Sequence, residues 1–326
     1  MTTFADGLYQ YGGVPVGGFF TNGKAWFVKP STGSDGNSGK SPERAFKTLA
    51  KALSAATADK NEVVYLISES NTAASTTDYQ SSALDWNKDG VHLIGINSGS
   101  FLNQRSRIAQ LSTATNVDDL FTVSADNCYI ANISVFHGVD DATSKGAVKV
   151  SGSHNKFYNC TFSGIGHATM DTADNYSLKV SAGSENVFEK CYIGLDTIAR
   201  GTGANSEIVL DTGATRNMFL DCVVATYAEA DTHQFLIVPS AGLDRWTIFK
   251  NTMFINMPTG DASGTTMTEA FEVTGGGSPD GVILLENCTL YGATDWEAAA
   301  VSGKVMIRTD GGTAATAGLS ADVAAA

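Results

Sequence analysis

The side chains able to do chemistry gather in four stretches, 138–147, 164–177, 194–207 and 225–234. In or beside them stand His137, Asp140, Asp141, His167, Asp171, Asp174, Asp196, Arg200, Glu229, Asp231 and His233. Two carboxylates facing one cleft, about 5–5.5 or 6.5–9.5 Å apart, are what glycosidic-bond hydrolysis requires. Asp171 with Asp196, or Asp196 with Asp231, are the pairs that the spacing offers, and Asp171, Asp196, Asp231 and His233 form the candidate ligand face. The competing reading is that Asp in Gly/Ser/Thr-rich loops makes turns and stays solvated. That reading is preferred, so no residue is assigned a catalytic role. The five cysteines offer no Cys-x-x-Cys and no Cys/His cluster, so neither a metal nor another cofactor is expected.

The elements that must hold these loops show as a repeat. Cys160, Cys191 and Cys222 are spaced by 31 residues within a motif Asn-x-Phe-x-x-Cys-x-apolar, from Asn155, Asn186 and Asn217. Weaker copies surround Thr252, Cys288, Ile133 and Ile96. Apolar triplets with a polar middle residue run in step: Phe121-Thr122-Val123, Val148-Lys149-Val150, Leu178-Lys179-Val180, Ile208-Val209-Leu210, Leu236-Ile237-Val238 and Phe271-Glu272-Val273. Such alternation marks a half-buried strand. Three short strands per repeat cannot bury their own faces; stacked, they enclose one core. The fold class is therefore all-β, a single-stranded parallel β-helix of about seven to nine coils. Phe157, Phe188, Phe219 and Phe249 should stack inside it. Cys160, Cys191, Cys222 and Cys288 belong to a second inward column, with Thr252 in the cysteine place on one coil. Asn155, Asn186 and Asn217 should form a ladder at a turn. Stacked coils put equivalent Cβ atoms about 4.8 Å apart and pointing the same way, whereas a disulfide needs about 3.8 Å. The thiols are expected to be buried and reduced, which suits cytosol-like conditions.

The chain has 326 residues and a formal net charge of −13, with 17% charged residues and 34 Gly. This argues against nucleic acid as a partner. No apolar run approaches the roughly 20 residues of a membrane span, and the first residues lack the pattern of a secretory signal. Low charge suits an in-register stack, where like charges would sit one above another.

Four regions follow. Residues 1–24 form an N-terminal arm, too apolar for a free tail, in which Phe4, Tyr9, Tyr11, Phe19 and Phe20 are candidate assembly contacts. The arm either lies back along its own solenoid or docks on another subunit. Residues 25–62 hold an opening strand and a capping helix, expected at 42–57, with Ser41 as N-cap and Phe46, Leu49, Ala50 and Leu53 on one face. Residues 63–310 form the β-helix, and 311–326 a loose tail.

The segment Gly33-Ser34-Asp35-Gly36-Asn37-Ser38-Gly39-Lys40-Ser41-Pro42-Glu43-Arg44-Ala45-Phe46-Lys47-Thr48-Leu49 resembles the opening of the right-handed parallel β-helix proteins of the pectate-lyase-like superfamily. The resemblance, over residues 25–310, implies a right-handed solenoid with its N-terminal helix as lid. The superfamily includes polysaccharide lyases and hydrolases, tailspike depolymerases and non-catalytic phage virion proteins. A lyase of this kind would want a Ca²⁺-binding acidic cluster with an Arg or Lys base. Asp140-Asp141 is a thin cluster and Arg200 stands alone, so no catalytic motif carries over. The expectation is therefore a non-enzymatic structural protein of a bacteriophage virion, a capsid-decorating or head/tail-associated protein. It would be assembled in the host cytoplasm, as a homo-oligomer of trimer type, against partners such as the major capsid protein. The alternatives are a carbohydrate-active enzyme or tailspike-like depolymerase, and a glycan-binding adhesin.

Overall fold

The computed structural model describes residues 21–67, 77–80, 82–96, 106–111, 113–239, 242–257, 264–273, 281–297, 304–309 and 318–321. Phe4, Tyr9, Tyr11, Phe19 and Phe20 lie outside them. Each coil gives one strand to each of three sheets. In one coil these strands are Lys156–Tyr158, Thr161–Ser163 and Tyr176–Ser181. The first sheet has eleven strands and the second and third have eight each. Coil-to-coil pairing is parallel throughout, as in Lys156↔Val187, Thr161↔Tyr192 and Leu178↔Ile208. The result is a parallel β-helix of eight complete coils, as the repeat requires.

The core columns form as their spacing demands. Phe157, Phe188, Phe219 and Phe249 stack face to face, with ring centroids 4.7, 4.6 and 4.5 Å apart. Their rings are fully buried. All five cysteines are free thiols. Burial pushes the Cys191 thiol up, and the thiols of Cys160 and Cys222 on the coils either side push the same way. The Asn ladder pairs amides directly, Asn186 Nδ2 donating to Asn217 Oδ1 at 3.2 Å, and adds backbone bonds. Asn186 Oδ1 accepts from Asn155 N, and Asn217 Oδ1 from Asn186 N. The Nδ2 groups of both then donate to carbonyls of the preceding coil, Gly152 and Gly183. Each amide thus satisfies one buried backbone donor and one buried acceptor, the condition for leaving a turn inside the protein.

The first and second sheets are joined by a two-residue corner. Its first residue is left-handed in six consecutive coils: Asn132, Asn159, Lys190, Asp221, Asn251 and Asn287, with φ between 50° and 56°. Asn and Asp tolerate this region because their short polar side chains bond locally. Here they bond to the next coil, as in Asn159 Nδ2 to Asn132 Oδ1 at 2.8 Å and Asn251 Nδ2 to Asp221 Oδ1 at 2.9 Å.

The cap is shorter than expected. The α-helix runs only over Leu49–Ala55 and buries Leu49, Ala52 and Leu53, whereas Ala50 is exposed. Pro42–Arg44 is a separate 3₁₀ turn, and Ser41 makes no side-chain cap. The reason lies in Phe46. It is held extended against the opening strand Ala25–Val28, with Phe46 N donating to Phe27 O and Lys29 N to Phe46 O. Its ring stacks on Trp26 at 5.9 Å. Helix therefore cannot begin before Thr48, whose hydroxyl accepts from Lys51 N. Asp35, from the Gly-Ser-Asp turn, accepts from Lys47 N and Thr48 N and fixes that start.

At the far end the tail is not wholly loose. Gly318–Ala321 adds to the first sheet as an antiparallel strand beside Val305–Thr309.

Candidate functional site

Second- and third-sheet strands are joined by 137–145, 164–175, 201–205 and 229–233, which share one corner; the expected stretches 194–207 and 225–234 are shortened because the strands Tyr192–Arg200 and Val223–Ala228 run on into them. Most of their polar residues bind the neighbouring coil rather than solvent. Asp171 Oδ2 accepts from Gly201 N at 2.7 Å and Thr202 N at 3.1 Å, while Oδ1 accepts from Asn205 Nδ2 at 2.7 Å. Asp141 accepts from Asn116 N, Thr143 N and the Thr143 and Ser144 hydroxyls. These bonds, the Asn116 amide first, hold its carboxyl below the ordinary range. Asp196 and Asp231 are exposed. Asp140 accepts from Thr169 Oγ1 at 2.5 Å, with His167 Nδ1 at 3.7 Å.

His233 does not belong to a ligand face: it is fully buried. Arg200 does not stand alone either. Its Nε meets Glu207 Oε1 at 3.2 Å, and both side chains are fully buried. Arg200 Nη1 donates to the carbonyls of Ile165 and Ile198. Glu207 Oε2 accepts from Ser177 Oγ at 2.6 Å, and that oxygen in turn accepts from Gly164 N. His233 Nε2 lies 3.0 Å from Thr226 Oγ1 and 4.0 Å from Glu207 Oε1. Burial, followed by the Arg200 charge, pushes the His233 imidazole down to about 3. A buried charge is tolerated only when paired and hydrogen-bonded, and this network meets that condition across three coils. Gly194, at φ +108°, makes room for it: a Cβ there would lie 2.0 Å from Ala225 O and 3.0 Å from the Glu207 carboxylate.

The solvent-facing chemistry lies just beside this network, on the third sheet. A groove of about 400 Å³ is lined there by Asp118, Asp119, Lys145, Lys149, Tyr176 and Lys179, with Asp174 and Asn205 on its rim. Lys149 and Lys179 are direct register partners on adjacent strands. Like charges placed opposite one another on a sheet are destabilising, so each draws a carboxylate. Lys149 Nζ lies 3.6 Å from Asp119 Oδ2, and Lys179 Nζ lies 2.7 Å from Asp211 Oδ2. Burial raises the Asp211 carboxyl, but the bonds from Lys179 and Thr212 N outweigh it and leave it low. Tyr176 reaches over two coils, its hydroxyl donating to Asp119 Oδ1. Its ring lies on the Gly146 backbone, where a Cβ would sit 1.9 Å from a ring carbon. Lys179 Nζ stands 5.6 Å from the ring centroid, within cation–π range. Burial, and then the Asp119 charge, push the phenol far above its ordinary value. At neutral pH it is a proton donor locked to a carboxylate.

Among the described residues no group of three or more His, Cys, Asp or Glu side chains converges as a metal site.

No protein-family model matches the sequence, and no curated protein matches it. Solved structures do. The pectate lyase Pel9A aligns at TM-score 0.55 and 16% identity, over 83% of this chain and 64% of that one. A rhamnogalacturonan lyase aligns at 0.54 and 17%, over 82% and 68%. The pectin methylesterase PemA from Erwinia chrysanthemi aligns at 0.50 and 15%, over 90% and 94%. The chain thus spans under two thirds of the pectate lyase. At these identities the likeness is one of fold. The expectation of a non-enzymatic protein is corrected on this point: the pectate lyase, the rhamnogalacturonan lyase and the pectin methylesterase are all enzymes. The pectate-lyase-like resemblance read from residues 33–49 holds at the level of fold.

Asp118, Asp119, Tyr176 and Glu207 were missed by the sequence reading. The two lysines were visible as the polar middles of Val148-Lys149-Val150 and Leu178-Lys179-Val180. What was hidden is that they sit in register with their counter-ions elsewhere.

Proposed function

We propose that the chain is a carbohydrate-active β-helix enzyme that holds an acidic polysaccharide in the Lys149/Lys179 groove and depolymerises it. The observation that carries this reading is the in-register lysine pair beside the Tyr176–Asp119 couple. Two ammonium groups on adjacent strands repel, and Asp119 and Asp211 offset that repulsion within the chain. The lysines suit a ligand that brings its own negative charges, such as the sugar carboxylates of pectate or rhamnogalacturonan. Lys149 and Lys179 neutralise a sugar carboxylate. Asp119 is the group that accepts a proton from the sugar, and the Tyr176 phenol, bonded to its other side, fixes its orientation. A depolymerase borne on a phage particle is the setting in which this chemistry would join the virion role expected from the sequence.

The test is incubation with a panel of uronic-acid polysaccharides, following new reducing ends and the absorbance of unsaturated sugars. Elimination raises both signals and hydrolysis raises only the first. Asp119→Asn should lower the rate by about 100-fold, the lower bound for losing a positioned proton-transfer group, and Lys179→Met should raise KM for the acidic glycan, with the fold retained by circular dichroism. Neither cleavage nor binding of any acidic glycan would overturn the proposal.

A further inference from the structure

One surface is unused by the groove and unlike an ordinary solvent face. On the outer side of the first sheet, Val187, Met218, Ile248 and Leu284 occupy the same register position on four successive strands. All four are half-buried rather than covered. Beside them a groove of about 650 Å³ is lined by Arg216, Asp244, Arg245, Trp246, Val282 and Leu284. Trp26, Trp86 and Trp296 are buried, whereas Trp246 is half-buried and faces outward from its strand. Apolar side chains in line on the outside of a sheet mark a covered surface.

We infer that residues 1–20 of the same chain cover this face, lying across the first sheet with their aromatic side chains on Trp246 and the apolar ladder. The chain leaves the described residues at Thr21, just before the opening strand Ala25–Val28 at the end of that sheet. It leaves from the side where the strands begin, and Arg216, Arg245 and Trp246 stand at the same side, at the starts of their own strands. Trp246 lies seven strand spacings away, about 34 Å. Twenty extended residues reach about 66 Å, and the stretches from Thr21 to Tyr11 and to Tyr9 reach about 33 and 40 Å, so an extended segment brings these two side chains to the groove. The segment is Phe4, Leu8, Tyr9, Tyr11, Val14, Val16, Phe19 and Phe20 among glycines, with Asp6 its one charged side chain. That composition matches an apolar face bordered by two arginines. It favours the same chain over a second copy because the attachment point already lies on this sheet and the span is short.

The experiment uses the full chain beside one lacking residues 1–20. Because the other three tryptophans are buried, acrylamide quenching reports mainly on Trp246. Deletion should raise quenching and red-shift the emission, and Trp246→Phe should abolish both changes. A second measurement stands even where deletion impairs folding. Oxidising the full-length Tyr9→Cys/Arg245→Cys variant, as a mixture of isotope-labelled and unlabelled chains, should give a disulfide joining peptides of one label only. Unchanged quenching on deletion, a link of mixed label, or no link would overturn the inference.

Discussion

The two corners that flank the second sheet meet the same need, turning the chain between parallel sheets, by opposite means. At the two-residue corner one backbone shape recurs in six coils, and Asn and Asp side chains tie neighbouring coils together on either side of Lys190. At the long-loop corner no two coils are alike, and order comes from Asp171, Asp141 and the buried Arg200–Glu207 network. The first corner repeats one solution from coil to coil; the second uses a different set on each, from Arg200–Glu207 within one coil to Asp171 and Gly201 across two. The Lys149/Lys179 groove opens beside the second. Regularity and chemistry therefore lie at different edges of the same sheet.

The sharpest way to break this contrast is Arg200→Met. It leaves Glu207 buried without its cation and should cost about 3–5 kcal/mol, the range for breaking a buried pair. Urea denaturation would measure it, and a loss below about 1 kcal/mol would show that the network does not hold the long loops. Next, Asn186→Ala removes a buried amide that satisfies two backbone groups. Each orphaned group costs about 1–3 kcal/mol, read as a lower denaturation midpoint.

A third test uses acid. The His233 imidazole is held at about 3 when folded, against about 6.5 when unfolded. Between those values the unfolded chain binds a proton that the folded chain does not, so stability falls as pH drops from about 6.5 toward 3. His92, held at about 4 by burial, acts in the same direction. Hydrogen exchange should show the long loops opening before the two-residue corner, and His233→Gln should flatten part of the slope. The smallest effect is a gain. Lys190 interrupts the Asn ladder at a left-handed position, so Lys190→Asn should raise stability by about 0.5 kcal/mol, seen as a small rise in Tm.

The same contrast explains what could be read in the sequence. Phe157, Phe188 and Phe219 repeat at a fixed interval because each does the same task on its own coil, so the period exposes them. The long loops carry no period. Asp171 and Asp231 look alike in sequence, yet one is clamped to the next coil and the other is exposed, and only the coil beside each decides which. His233 reads as a loop residue, but the strand that follows carries it under the loops. The helix start failed for a similar reason: Ser41-Pro42 is a good local signal, but Phe46 has a stronger partner in the opening strand.

The last strand has a consequence for growth. A stack of parallel coils ends in an unpaired strand edge, on which another chain could continue the same hydrogen-bonding pattern, the geometry by which fibrils lengthen. Gly318–Ala321 runs the other way. A further chain arriving in parallel register would meet a reversed row of donors and acceptors. One four-residue reversal thus marks the end of the first sheet, while the second and third end, among the described residues, in parallel strands at Thr289–Tyr291 and Ala293–Glu297.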